Sequence, residues 1–181
     1  MDEQRVFFDE MKRADGKARS PYTDYCEWLD TVKVGDLRKK SREAETFFRR
    51  TGITFNLVPR IIDGKEWRLL ARGIEQRVRA INAFLHDIYH RQEIVRAGRI
   101  PEHLIAQNAA FLPQMIGVTP PGGVYTHIVG TDLVRTGANE FFVLEDNART
   151  PSGVSYMLEN RETMLKMFPE LFSQIKVQPI S

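Results

Sequence analysis

In the first hundred positions, most apolar residues recur three or four residues apart, which is the spacing of one helix face. The longest such pattern begins near Lys65 and predicts an amphipathic helix of several turns. Its apolar face is formed by Trp67, Leu70, Ile74, Val78, Ile81, Leu85 and Ile88. Shorter patterns predict further helices: one with an apolar face at residues 7–11 that ends at residues 14–16, and others after Ser20-Pro21, at residues 34–50 and after Pro101.

The pattern changes after residue 123 to runs that are typical of strands. Residues 124–135 and 141–144 are rich in β-branched and aromatic residues, and residues 136–140 between them predict a hairpin connection. A closing helix is predicted from Ser155 to Ile175, interrupted near Pro169. The sequence therefore predicts an α+β fold, with a helix-rich amino-terminal part followed by an antiparallel strand pair and a closing helix.

A polar cluster follows the second predicted strand directly. Glu145 and Asn147 are two residues apart, so their side chains share one face of a strand. The hairpin would bring Asp132 of the first strand close to both. Oxygen donors of this kind suit a hard cation such as Mg²⁺. We therefore predict a metal site formed by Asp132, Glu145 and Asn147, and the alternative is a solvated turn, where Asp and Asn are common.

The apolar run before this cluster also bears on the metal site. Residues 141–144 are apolar on both faces of the predicted strand, which predicts a buried strand. A carboxylate at the end of a buried strand loses hydration unless a partner charge compensates it. The predicted cation would supply that charge.

Composition narrows the class of protein. The chain has 181 residues, of which 42% are hydrophobic and 28% charged, enough apolar material for one sizeable core. A net charge of +2 and the lack of a dense basic stripe argue against nucleic acid as a partner. No apolar run reaches membrane-spanning length, and the acidic start does not resemble a signal peptide. These features predict no membrane association and a cytoplasmic location.

His86 and His90 are four residues apart, which is the spacing of zinc ligands on one helix face. Zinc proteases with this pattern carry Glu beside the first His, whereas this chain has Asp87. No third ligand is indicated nearby. Surface or capping histidines are therefore the expected interpretation.

The sequence resembles a known family. The metal-binding end of ATP-grasp ligases resembles one arrangement in this chain: Asp132, a hairpin, and then Glu145-x-Asn147 followed by Pro and Gly. The wider pattern is similar to the circularly permuted ATP-grasp family once labelled glutathionylspermidine-synthase-like. The segments that carry this resemblance are residues 59–62, 66–67, 76–80, 113–115, 143–161 and 168–172.

The resemblance implies an ATP-grasp-like fold, with residues 1–52 as a helical prelude and residues 53–181 as a partial circularly permuted ATP-grasp domain. It also implies ATP and Mg²⁺ as cofactors. A carboxylate would be phosphorylated to an acyl phosphate, and an amine would then form the amide. Small amino-acid or peptide substrates, and other ligase-like proteins, would be the partners.

Within this implied mechanism, Arg149 would neutralise the transferring phosphoryl group or the substrate carboxylate, and its alternative is a surface salt bridge. Ser152 and Gly153 would offer backbone N–H groups to an anion at a helix start. Their alternative is a simple N-cap, with Gly153 allowing close packing.

The chain departs from the family pattern in two ways. Only residues 56–58 join Phe55 to the Pro59 segment, so a loop has been lost or a segment is missing. Family members are also longer, and the part that closes over the adenine comes after the segment seen here. The competing hypothesis is therefore a truncated, non-catalytic ligase-like subunit or interaction module.

Overall fold

The computed structural model describes residues 7–51 and 59–179. Short 3₁₀ turns lie at Ser20–Tyr22, Pro113–Met115 and Pro121–Gly123. The elements in the described ranges are, in chain order, α1 (Thr23–Thr31), α2 (Val34–Thr51), α3 (Gly64–Tyr89), α4 (Glu93–Arg96), α5 (Glu102–Ala106), β1 (Gly130–Gly137), β2 (Glu140–Asn147), α6 (Gly153–Met167) and α7 (Pro169–Gln174). The predicted α+β fold, with a helix-rich first part, an antiparallel strand pair and closing helices, is confirmed.

The predicted long helix is present as α3, and the break near Pro169 separates α6 from α7. The helix after Pro101 is confirmed as the short α5. Two predictions lie outside the described residues: the loop expected after Phe55 and the domain boundary at residues 52–53. The β-prone residues 53–55 also lie outside them. The domain boundary therefore stays a prediction.

The helix predicted at residues 7–11 is wrong. The Asp9 carboxylate accepts hydrogen bonds from the backbone N–H groups of Met11 at 2.9 Å and Lys12 at 2.8 Å. Lys12 then forms an antiparallel bridge with Ala18. A short polar side chain that binds nearby backbone donors competes with helix formation, and the five-residue apolar pattern is too short to outweigh it.

The fold divides into two compact units. The first contains the described residues up to Glu66, Leu133–Leu144 and the chain from Ser152 onwards. Its core lies between α1 and the α6–α7 pair, where the Trp28 and Phe168 rings meet edge to face with centroids 5.4 Å apart. The buried residues of this core are Tyr22, Tyr25, Trp28, Met164, Phe168 and Leu171.

The second unit contains Trp67–Asp132 and Glu145–Pro151. Its core joins the end of α3 to the segment that follows, and Tyr89 stacks on Phe111 with ring centroids 5.0 Å apart. Ile88 and Ile105 are buried beside them. The described part of the chain contains no helix with the length and hydropathy needed to cross a bilayer.

Strand β1 is shorter than predicted, because it begins at Gly130 rather than at residue 124. The Asn82 side chain of α3 accepts hydrogen bonds from the backbone N–H groups of Tyr125 at 2.7 Å and Thr126 at 3.2 Å. These donors are therefore not available for a strand ladder. His127 is exposed in this segment before β1.

The hairpin turn consists of Ala138 and Asn139, and Asn139 has a φ of 59°. Asn tolerates this left-handed conformation better than most residues do. The predicted burial of residues 141–144 is wrong for most of the run, since Phe142 is 56% exposed and Leu144 is 69% exposed. The sheet has only two strands in the described ranges, and no further layer covers this part of it there.

One electrostatic prediction arises in the second unit, at Asp87. Its two carboxylate oxygens accept the backbone N–H groups of Glu93 and Ile94, each at 2.9 Å. The hydrogen bonds from Ile94 and then Glu93 lower the pKa of Asp87 below its usual value. The folded state thus prefers the charged carboxylate, so this contribution is present above the unfolded pKa of about 4 and is lost as the pH falls through the lowered pKa.

Asp87→Asn should therefore weaken the start of α4 at neutral pH and flatten its response to acid. Amide hydrogen exchange of Glu93 and Ile94, measured between neutral pH and pH 3, tests this expectation. Glu93→Gln is the control, because it changes a neighbouring charge and leaves the Asp87 acceptor in place. Equal exchange rates of both amides in wild type and Asp87→Asn would contradict the assignment.

Candidate functional site

The register of the hairpin decides which side chains share a face. The Thr131 hydroxyl donates to the Asp146 carboxylate at 3.0 Å across the two strands. A methyl group at Gly130 would lie 3.6 Å from Cβ of Asn147. Both observations agree with the two-residue turn, and they place Asp132 opposite Glu145. Residues directly opposite in an antiparallel pair point to the same face, with Cβ atoms about 5 Å apart.

Asp132, Glu145 and Asn147 therefore lie on one face at the open end of the hairpin, which we call the front face. The Asn147 side-chain amide donates to the Glu145 carboxylate at 3.1 Å. All three side chains belong to exposed residues. The sequence prediction that Glu145 and Asn147 share a face agrees with this geometry.

The donor set fits the chemistry of Mg²⁺. This cation binds one or two carboxylates in many sites and keeps several of its waters, so an exposed pair of carboxylates with an amide oxygen is suitable. Among residues 7–51 and 59–179, no three His, Cys, Asp or Glu side chains are grouped so as to hold a metal. The predicted set has two such residues and an amide, and it stays a prediction.

Gly130 preserves space beside the front face. A methyl group at this position would lie 3.3 Å from Cβ of Pro151, in addition to its close approach to Asn147. This is tighter than most packed contacts, so a larger residue would displace the chain that returns after β2. The absence of a side chain at Gly130 thus lets residues 147–151 lie against the first strand.

Asp146 faces the other way, and sequence reasoning did not assign it a role. One of its oxygens accepts the Thr131 hydroxyl, and the other accepts the Arg77 Nε–H from α3 at 2.5 Å. We call Arg77, Thr131 and Asp146 the back-face cluster. Strand alternation could have shown that the Asp146 side chain points to the other face from Glu145 and Asn147. No local signal identifies its partner Arg77, which is 69 residues away.

Arg149 is exposed, and it forms no ion pair or hydrogen bond with the described residues. Its alternative interpretation, a surface salt bridge, therefore has no partner in that part of the chain. Its role towards a phosphoryl group stays a prediction.

Ser152 occupies the N-cap position of α6, and its hydroxyl makes no capping hydrogen bond. The close packing proposed for Gly153 is wrong, because no atom lies within 4 Å of an added methyl group there. The helix start thus lacks a side-chain cap, which is compatible with the predicted anion contact. Ser152 and Gly153 belong to the first unit, and their cofactor-binding role stays a prediction.

His86, in α3, and His90, just after its end, both contact the segment that follows. His90 Nδ1 donates to the backbone oxygen of His86 at 2.8 Å, and its Nε2 lies 3.1 Å from the Thr119 hydroxyl. His86 Nδ1 lies 3.1 Å from the Tyr125 hydroxyl. Three of the four ring nitrogens therefore have protein partners, which matches the expected capping and surface roles.

Residues 59–181 match the family described as circularly permuted ATP-grasp type 2. An uncharacterized protein of Synechocystis sp. is 41% identical over 96% of this chain and 39% of its own length. An uncharacterized protein of Mycobacterium tuberculosis is 42% identical over 96% of this chain and 33% of its own length.

A protein of Frankia casuarinae, named as a candidate glutamate–cysteine ligase, is 37% identical over 93% of this chain and 21% of its own length. The chain thus spans between one fifth and two fifths of the length of these curated relatives. Because the family match covers two thirds of the residues, the chain belongs to the circularly permuted ATP-grasp type 2 family.

Proposed function

We propose that this chain forms part of an ATP-dependent ligase that joins a carboxylate to an amine through an acyl phosphate. The observation that carries the proposal is the front face, on which Asp132, Glu145 and Asn147 lie by strand register. The family match and the relatives named as candidate glutamate–cysteine ligases support this reaction class. Since those relatives are much longer, the activity belongs to the whole protein in this proposal.

The chemistry explains why such residues are needed. A substrate carboxylate oxygen attacks the terminal phosphorus of ATP, ADP leaves, and an amine nitrogen then displaces phosphate from the acyl phosphate. The first step brings anions together, so catalysis depends mainly on positioning and on neutralising charge. Bound Mg²⁺ would supply positive charge to the phosphates, and Asp132, Glu145 and Asn147 would hold it.

Arg149 extends this proposal, because it follows β2 directly and lies in the same unit as the front face. A guanidinium group forms two parallel hydrogen bonds with phosphate or carboxylate oxygens. In the proposed enzyme Arg149 would therefore contact the transferring phosphoryl group or the substrate carboxylate. The substrates would be small amino acids or peptides.

Glu145→Gln should weaken Mg²⁺-dependent ATP binding by about tenfold or more, which corresponds to a loss of about 1.4 kcal/mol or more. The glutamine keeps the shape of the side chain and an oxygen for the Asn147 amide, but it removes the charge that attracts the cation. Titration calorimetry with ATP, with and without MgCl₂, measures the effect.

Glu140→Gln is the matched control, since Glu140 is an exposed glutamate at the opposite end of the same strand. It should leave binding unchanged. If neither Mg²⁺ nor Mg-ATP binds the wild-type chain, the binding-site proposal for this region is rejected.

The second candidate is a non-catalytic interaction module. The exposed apolar side chains Phe142 and Leu144 favour it, because exposed apolar clusters are often sites of protein association. Other ligase-like proteins would be its partners. This candidate predicts association that is independent of Mg-ATP and is lost in Leu144→Asp, which sedimentation analysis with and without nucleotide can distinguish from the ligase proposal.

A further inference from the structure

The back-face cluster connects the strand end to α3. Asp146 has only 12% of its side chain exposed, and each of its carboxylate oxygens is used by a different donor. Thr131 supplies a donor from the neighbouring strand, and Arg77 supplies a charged donor from α3. A carboxylate that accepts both a hydroxyl and a guanidinium is fixed in position and direction, because charge-assisted hydrogen bonds are the stronger kind.

The position of this cluster in the hairpin gives it a consequence for the front face. Thr131 and Asp146 are opposite each other, and the next pair along the strands is Asp132 with Glu145. A slip of one residue in the register would turn every side chain to the other face of the sheet. The Thr131–Asp146 hydrogen bond therefore favours the register in which Asp132 and Glu145 meet on the front face.

Arg77 adds an electrostatic effect. Asp132, Glu145 and Asp146 are three acidic residues at one end of a two-stranded sheet. The Arg77 guanidinium, 2.5 Å from Asp146, compensates the carboxylate that points to the back. The two carboxylates on the front face then remain available for a cation, while the third is held by the protein.

We propose that Arg77, Thr131 and Asp146 are positioning residues for the cation-binding front face. They act through Glu145 and Asn147, the chain neighbours of Asp146, and through Asp132, the chain neighbour of Thr131. This inference rests on the proposed function, because it assigns a role in holding the same Mg²⁺ site. It goes further because it assigns Arg77, a residue of α3, a role in orienting the metal ligands.

The test measures Mg²⁺ binding directly, by titration of MgCl₂ into the chain without nucleotide. Asp146→Asn and Arg77→Met should each weaken Mg²⁺ affinity by about 10- to 100-fold, which is the usual effect of removing a group that orients metal ligands. The Asn147 side-chain amide signals in NMR spectra should also shift, because the orientation of Asn147 depends on the strand end. A role in general stability would not predict a selective loss of metal affinity.

Arg79→Met is the matched control for Arg77→Met. Arg79 lies two residues further along α3 and pairs with Glu75 on the exposed surface, so its loss should leave Mg²⁺ affinity unchanged. Thr131→Val removes one hydrogen bond to the Asp146 carboxylate without removing a charged side chain, and should weaken affinity by a few-fold. It keeps the test decisive if a charged variant fails to fold, as judged by circular dichroism.

The outcomes separate this inference from the proposed function. If the wild-type chain binds Mg²⁺ and folded Asp146→Asn, Arg77→Met or Thr131→Val binds it more weakly, both the Mg²⁺ site and the positioning role are supported. Wild-type binding that is equal in all three variants overturns the positioning role and leaves the Mg²⁺ site in place. A wild-type chain that binds neither MgCl₂ nor Mg-ATP rejects the site and, with it, the positioning role.

Discussion

Arg135→Met should lower the free energy of unfolding of the first unit by about 3–5 kcal/mol, the usual cost of removing one partner from a buried ion pair. The Arg135 side chain is only 7% exposed, and it donates to the carboxylate of Glu66, which is 4% exposed. It also lies 3.5 Å from the Glu10 carboxylate. Methionine retains much of the side-chain volume, so the effect reports the charge rather than a cavity.

Glu66 carries most of this expected cost. Glu10 keeps a second cation, because Arg60 lies 2.9 Å from it. Glu66 has no other ion-pair partner in the described residues, and its Oε2 atom is buried without a hydrogen bond there. Without Arg135, a charged carboxylate would remain in a site from which water is largely excluded.

Two further variants sharpen the experiment. Glu66→Met combined with Arg135→Met should be less destabilising than Arg135→Met alone, since no unpaired buried charge remains. Lys39→Met should change stability by no more than about 0.5 kcal/mol, because its ion pair with Glu43 in the same unit is exposed. Urea unfolding followed by Trp28 fluorescence in a Trp67→Phe background measures all three. A double variant as unstable as the single one would contradict the explanation.

Phe168→Ala should cost about 3–5 kcal/mol of stability in the same unit. Phe168 is 1% exposed and packs edge to face against Trp28, while the Lys40 ammonium lies 4.9 Å from its ring centre. Removing the ring would leave a cavity between α1 and the α6–α7 pair, and closely packed neighbours only partly fill such a cavity.

Phe142→Ala is the matched control, because Phe142 is also a phenylalanine but is 56% exposed on β2. It should cost less than about 1 kcal/mol, within the range of strand preferences. The same fluorescence assay applies, since Trp28 contacts Phe168 directly. Equal losses in the two variants would show that burial does not determine the contribution of Phe168.

The candidate site shows how far local patterns extend. Alternation along a strand depends only on backbone geometry, so the shared face of Glu145 and Asn147 followed from their spacing. The hydrogen bond between them, at 3.1 Å, agrees with that reasoning. The role of Asp146 did not follow, because its charged partner Arg77 lies 69 residues away in the chain. Spacing alone does not reveal a contact at that separation.

The start of β1 shows the opposite case. Residues 124–129 have strand-like composition, yet they are not in the strand, because the Asn82 side chain binds the backbone of Tyr125 and Thr126. Strand preference is a weak effect that depends on neighbours. A single side chain that takes up backbone donors outweighs it.

By itself, the sequence determined the elements with strong periodicity: α2, α3, the hairpin and the break between α6 and α7. These depend on propensity and on the spacing of apolar residues, which are local properties. Only the tertiary structure decided that Phe142 and Leu144 are exposed, that Arg135 lies between the carboxylates of Glu10 and Glu66, and that Arg77 holds Asp146. Burial and ion pairing depend on which segments come into contact in the folded chain. Local spacing in the sequence does not specify contacts between segments that are far apart.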